Sequence, residues 1–256
     1  MSVTFLGTGT SQGVPVIGCE CDTCLSQNAK DKRLRSSVLV QVNGTNVLID
    51  AGPDLRQQML RQNVRHLAAI LLTHEHNDHT IGLDDIRPFN FMQGGDMPLY
   101  ALQRVIDDIK VKFAYVFAEN PYPGSPRMVC HSIKEGDIFP VQELFYVEAI
   151  HVLHGNLPIL GFRFGQFAYI TDASTLDVST INQLKGVDTL VLNALRYRKH
   201  NTHFNFDEAV SVAALIGARQ TYFTHLSHEM GYYDDLLEKL PPSILPAYDG
   251  LKISWK

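Results

Sequence analysis

His74-Glu75-His76-Asn77-Asp78-His79 follows directly on Ala68-Ala69-Ile70-Leu71-Leu72, an apolar run with the length and composition of a buried strand. The cluster therefore stands at a strand tip, where side chains from one loop can converge. On an extended backbone His74 and His76 project to the same side and can meet one cation. Asp78 and His79 lie beyond a turn and can meet a second cation beside the first. Imidazoles with a carboxylate suit zinc, manganese or iron rather than copper(I). A polar loop with chance histidines is the bland alternative, and four such residues on one strand tip weigh against it.

Working outward, Val3-Thr4-Phe5-Leu6 reads as a strand ending in the loop Gly7-Thr8-Gly9-Thr10. Ser37 to Val42 and Asn46 to Ile49 form a hairpin about Asn43-Gly44. A short amphipathic helix after Pro53 places Leu55, Met59 and Leu60 on one face. Residues 84–130 are less regular, with a helical stretch from Leu102 to Phe117 and a Pro/Gly-rich loop from Asn120 to Pro126, and are expected either to cover a site or to connect elements. Strand patterns return at Leu144–Val152, Leu160–Phe164, Phe167–Ile170 and Thr189–Leu192. A helix over Phe206–Gly217 and a strand over Thr221–Thr224 close the pattern. No linker or internal repeat divides the chain, so residues 1–256 are expected to form one layered α/β domain.

The chain has 256 residues, a formal charge of −5 and 45% hydrophobic residues, a globular composition that excludes disorder and a disulfide-stapled mini-protein. The acidic balance argues against stable nucleic-acid binding, which needs many Lys and Arg contacts to phosphate. No run approaches a membrane span and the N-terminus carries no secretory pattern, so a cytoplasmic location is expected. Three of the four cysteines crowd into Cys19, Cys21 and Cys24, a spacing that suggests metal in a reducing compartment.

His74-x-His76-x-Asp78-His79 resembles the defining motif of the metallo-β-lactamase fold hydrolases, which implies a four-layered αββα sandwich. The resemblance implies further ligands at His154, Asp172 and His225, each near the end of a predicted strand. It places His74, His76 and His154 on one metal and Asp78, His79 and His225 on the other, with Asp172 bridging. Asp50 matches the family's first motif and is read as support for a ligand. His151 competes with His154 at a poorer spacing, and His66, His131 and Cys130 carry no recognisable context.

Gly7-Thr8-Gly9-Thr10-Ser11-Gln12-Gly13-Val14-Pro15, then Gly18-Cys19-Glu20-Cys21 and Cys24, is similar to the phosphoribosyl cyclic phosphodiesterases of bacterial phosphonate breakdown. That similarity implies a structural zinc on Cys19, Cys21, Cys24 and His228, a closed tetrahedral set. It also implies that His203, with His200 as the fallback, is an active-site histidine able to protonate a leaving alkoxide near neutral pH. His203 and Asp78 are thus the residues expected in the chemistry itself.

Two divalent cations (manganese or zinc, with iron also admissible), two carboxylates and a hydroxide on the metal pair leave a site of about +1, suited to an anionic phosphodiester. The expected activity is metal-dependent opening of a small cyclic ribosyl or nucleotide phosphate by that hydroxide. The Gly7–Gly13 loop offers N–H groups to a terminal phosphate, although no Lys follows in the P-loop pattern. Alternatives are a nuclease like the 3′-tRNA-processing endonucleases and a thioester hydrolase of the glyoxalase type, both of which share the metal ligands. The similar subfamily suggests a homodimer.

Overall fold

The computed structural model describes residues 1–255. In chain order the strands of the first sheet are β1 (Ser2–Gly7), β2 (Ser37–Val42), β3 (Thr45–Ile49), β4 (Ala69–Leu71), β5 (Met97–Ala101) and β6 (Met128–Ser132). Those of the second are β7 (Ile138–Val141), β8 (Phe145–His154), β9 (Leu157–Phe164), β10 (Phe167–Ile170), β11 (Thr189–Asn193), β12 (Gln220–Thr224) and β13 (Ile244–Pro246). The last strand, β14 (Lys252–Ser254), returns to β1 and closes the edge of the first sheet.

Each sheet has seven strands and the same plan. The run β14-β1-β2-β3 is antiparallel and β3-β4-β5-β6 parallel; likewise β7-β8-β9-β10 is antiparallel and β10-β11-β12-β13 parallel. Period-two alternation explains how both faces are used. Val3, Phe5, Val38, Val40, Val47 and Ile49 enter the layer between the sheets with Phe162, Phe167 and Tyr169 of the second sheet. Their neighbours Leu6, Leu39 and Leu48 face outward onto helices.

The helices are α1 (Asp22–Leu25), α2 (Leu55–Arg61), α3 (Asn77–Thr80), α4 (Arg87–Gln93), α5 (Gln103–Lys112), α6 (Val178–Leu184), α7 (Phe206–Ile216) and α8 (Tyr233–Lys239). Leu55 and Met59 of α2, Phe89 of α4 and Val105, Ile106 and Ile109 of α5 cover the first sheet. Leu184 of α6, Ala209, Ala213 and Ile216 of α7 and Leu236 of α8 cover the second. The result is two mixed sheets flanked by helices, the αββα arrangement. Helix α7 is well defined at both ends: Asn205 and Glu208 form a reciprocal capping box, and Gly217 ends it in the left-handed conformation. No helix among the described residues is long and apolar enough to cross a membrane.

One local expectation differs from the structure. Leu60 is 63% exposed, and Gln58 takes the inward position on α2 because its amide donates to the Arg35 carbonyl at 3.0 Å. Residues 84–130 contribute β5 and the start of β6 to the first sheet, two strands that the sequence pattern did not show. Their α5 also reaches toward the histidine loop: Arg104 pairs with Glu75 at 2.8 Å and donates to the Pro158 carbonyl of β9.

Candidate metal centres

The clustered side chains all sit at or just beyond the carboxyl ends of strands, where open α/β sheets place their ligands. Asp50 follows β3, His74 follows β4, His154 ends β8, Asp172 follows β10 and His225 follows β12. Asp50, Asp172 and His225 turn out of their strands with φ of 63°, 57° and 56°, a left-handed backbone costing roughly 1–3 kcal/mol for a residue with a side chain. Such conformations persist when the surroundings over-determine them. The loop from His74 to His79 is held just as closely: a Cβ on Gly52 would lie 2.0 Å from the Asp78 carbonyl oxygen, and one on Gly82 would lie 2.0 Å from that of Gly52. Backbone thus packs directly on backbone behind the cluster.

Among them His74, His76 and His154 bring ligand atoms within 4.8 Å of one another, as do Asp78, Asp172 and His225. The two groups adjoin. His79 Nε2 lies 3.2 Å from Asp78 and 3.5 Å from Asp172, and His74 Nε2 lies 3.9 Å from the same Asp172 oxygen. Asp172 Oδ1 accepts from His225 Nδ1 at 3.0 Å.

Hydrogen bonds preset the imidazoles. His79 Nδ1 donates to Asp50 at 2.7 Å. His74 Nδ1 donates to Thr73 Oγ1 at 2.9 Å, and that hydroxyl donates onward to Asp50 at 3.0 Å. His154 Nδ1 donates to the Thr202 carbonyl at 2.7 Å. With each Nδ1 engaged, the Nε2 lone pairs are turned into the cluster. Two of them, on His74 and His79, are buried with no hydrogen-bond partner among the described residues. Such an orphan costs about 1–3 kcal/mol, which a cation at that point relieves. The donor set therefore fits a pair of divalent metals.

Charge agrees with this. Burial opposes ionisation of Asp172 and Asp78, yet His225 and His79 around Asp172, and His79 beside Asp78, hold both well below the usual carboxylate range. Burial also opposes the His79 imidazolium, but Asp172, Asp50 and Asp78 hold it well above its ordinary value. Burial and His79 push His74 well down. Carboxylates surrounding one protonated imidazole are a site that exchanges its proton for metal.

His203 lies beside this cluster, its ring 4.6 Å from that of His154 and stacked 4.8 Å from that of His225. Its Nδ1 is buried without a partner among the described residues. The expectation of titration near neutrality differs from the structure, because burial and the neighbouring His225 push its imidazolium down to about 3. His200 stands one ring further out, 5.1 Å from His203. His151 faces Asp177 at 3.9 Å instead of the cluster, His131 stacks on Tyr100, and His66 is exposed.

Cys19, Cys21 and Cys24 form a second cluster about His228, with sulfur to Nδ1 distances of 3.3, 3.3 and 3.6 Å. Tetrahedral bonds of about 2.3 Å to sulfur and 2.0–2.1 Å to nitrogen put such atoms about 3.6 Å apart, so this set fits one closed zinc site. The Cys24 N–H holds the Cys21 thiol down to about 6, whereas burial pushes Cys24 up to about 11. Leu226 N–H donates to the Thr8 carbonyl at 2.9 Å, so the loop leading to the cysteines is tied to the strand end bearing His225.

Several supporting residues went unnoticed in the sequence. Thr73 joins two histidines through Asp50. Asn193, fully buried at the end of β11, grips the residue after Asp172, accepting from Ala173 N–H at 2.7 Å and donating to its carbonyl at 2.9 Å. A hydroxyl residue next to a ligand and an asparagine ending an apolar run were the available signals.

Residues 45–226 match the family model described as "Beta-lactamase superfamily domain". A Porphyromonas gingivalis protein named octanoyltransferase is 42% identical over 254 residues, which are 98% of this chain but 51% of that protein. A Bacillus cereus ribonuclease Z is 30% identical over 167 residues, 64% of this chain and 48% of that protein. The chain thus spans about half the length of the curated relatives it matches. Among solved structures, one described as a new diphosphatase from the PhnP family aligns over 100% of this chain and 98% of its own, at 40% identity and a TM-score of 0.91. The chain accordingly belongs to the β-lactamase superfamily of metal-binding αββα proteins and, within it, to the PhnP family.

Proposed function

We propose that this chain is a metal-dependent phosphodiesterase that opens a small cyclic ribosyl or nucleotide phosphate. His74, His76 and His154 would hold one cation and Asp78, His79 and His225 the other, with Asp172 shared; manganese or zinc suits these donors, and iron is admissible. Such a pair, when bound, makes hydroxide available near neutral pH and withdraws charge from a phosphoryl oxygen. Cys19, Cys21, Cys24 and His228 would hold a separate structural zinc. Reduced thiols of this kind accord with a cytoplasmic location.

The observation that carries the reading is His203, set between the rings of His154 and His225 with its Nδ1 unpartnered. A bystander histidine at such depth would be expected to have a partner. Being neutral at rest, it presents an N–H to a phosphoryl oxygen without adding charge. A bound phosphodiester anion favours the imidazolium, so His203 takes up a proton with the substrate and gives it to the departing alkoxide. Asp78, 3.2 Å from His79 Nε2, would hold one cation together with that ring.

Phosphorus NMR of ribose 5-phosphate 1,2-cyclic phosphate with manganese-loaded protein tests this. Ring opening to a phosphomonoester, absent with Asp172→Ala, is the expected result; an unchanged substrate removes it. A second reading, cleavage of a diphosphate linkage, is favoured by the 40% identity to the protein described as a diphosphatase. Diphosphate esters in the same assay decide between them.

A further inference from the structure

Glu75 separates two of the clustered histidines, yet among the described residues it stands outside every group of converging ligand atoms. Its carboxylate turns instead to α5, where Arg104 Nη1 donates to Oε2 at 2.8 Å. The other end of the same guanidinium, Nη2, donates to the Pro158 carbonyl of β9. Pro158 pairs with Leu153 across the β8–β9 hairpin, next to the pair made by His154. One planar side chain thus spans the loop that carries His74 and His76 and the hairpin that carries His154.

A second grip comes from about two turns further along α5. Lys112 Nζ donates to the Glu75 carbonyl and stands 3.5 Å from Thr80 Oγ1, a hydroxyl that donates to the His76 carbonyl at 3.1 Å. Asp108, four residues before it, holds the ammonium at 2.6 Å. The helix is a firm anchor, since Val105, Ile106 and Ile109 are buried against the first sheet.

The rings show what this support is for. His74 is aimed by Thr73 and His154 by the Thr202 carbonyl, whereas the His76 imidazole is exposed and has no hydrogen bond among the described residues. Its direction therefore follows the backbone of the loop, which α5 holds through Glu75. Folding stability does not account for the Arg104–Glu75 pair: with side chains 34% and 24% exposed, such a pair adds little to it.

We propose that Arg104 and Lys112 are positioning residues for one metal of the pair, holding Glu75 so that His76 stays within reach of the cation shared with His74 and His154. The inference rests on the metal-pair reading above and makes the support of the two metals unequal. Among the described residues neither side chain bonds to Asp78, His79 or His225, the donors of the other metal.

The test is a chelator competition on cobalt(II)-loaded protein, whose visible absorption reports each active-site ion as it leaves; His154→Ala marks the step of the first metal. Arg104→Ala should weaken that step about 10- to 100-fold and leave the other unmoved, the size expected when an outer partner of a ligand is lost. Arg104→Lys should recover only part, since an ammonium does not fork to two acceptors. Glu75→Gln should act in the same direction, and should cost less in the Arg104→Ala background than it does alone, because the two share one contact. A merely structural role would weaken both steps together and lower the melting temperature of the metal-free protein. That pattern, or an unmoved first step in folded Arg104→Ala, overturns the proposal. A wild type without an ion that His154→Ala loses overturns the metal-pair reading, and the proposal with it.

Discussion

The two metal-binding clusters use overlapping donor types in opposite settings. Around His74, His79 and Asp172 the ligand atoms are buried and aimed by hydrogen bonds from residues that are not themselves ligands, above all Asp50 and Thr73. Around His228 the cysteines come from one short loop: Cys21 is exposed, and among the described residues the only hydrogen bond that a cluster sulfur accepts from outside the set is from the Val16 N–H to Cys24 Sγ, at 3.4 Å. The first geometry is built by the fold and is ready for metal; the second is a loop whose shape a bound zinc would fix. Buried ligands preset by their neighbours are the arrangement for chemistry, whereas a closed set of four protein ligands is the arrangement for structure.

The largest effect should come from Asp172→Ala. Removing the carboxylate shared by His74, His79 and His225 should abolish phosphodiester turnover, and measurable turnover would take Asp172 out of the centre. Next, His203→Ala should slow turnover by roughly 10²–10⁴ while both active-site metals stay bound. A rise in KM with kcat unchanged would make it a binding residue only.

Thr73→Val sharpens the contrast at the level of support. It keeps the shape of the side chain but breaks the relay from His74 to Asp50, and should weaken active-site metal by about 10- to 100-fold in a chelator competition. Metal affinity unchanged by this substitution would mean that the fold, and not the relay, aims His74.

The smallest effect on chemistry should be that of Cys21→Ser. It should lose one zinc and about 2 kcal/mol, or roughly 4–8 °C in Tm, with turnover reduced only through looser seating of His225. Thermal melts of the zinc-replete proteins check it, and an unaltered melt would deny the loop its dependence on metal.

How much of this was legible in the sequence follows the same division. The first half of the centre was plain because His74 to His79 are contiguous and end a buried strand. The second half, His154, Asp172 and His225, comes from three separate strand ends, and only the family resemblance joined them. The missed strands β5 and β6 explain themselves: β5 opens with Met97-Pro98, and β6 is an edge strand with Val129 and His131 exposed, so neither shows apolar alternation. The supporting residues were hidden for another reason. Nothing local distinguishes Thr73 or Asn193 from any polar residue at a strand end until the partner 20 or more residues away is in place. The depressed basicity of His203 is likewise a product of burial, which its neighbours in sequence do not reveal.

The most direct test of this division is metal content measured alongside turnover in three proteins: wild type, Asp172→Ala and Cys21→Ser. The account predicts a complement in which Asp172→Ala keeps the zinc of the cysteine loop but loses active-site metal and all turnover, while Cys21→Ser loses that zinc and still turns over substrate. Loss of the same metal and the same activity in both variants would contradict it, because the two clusters would then be one functional unit.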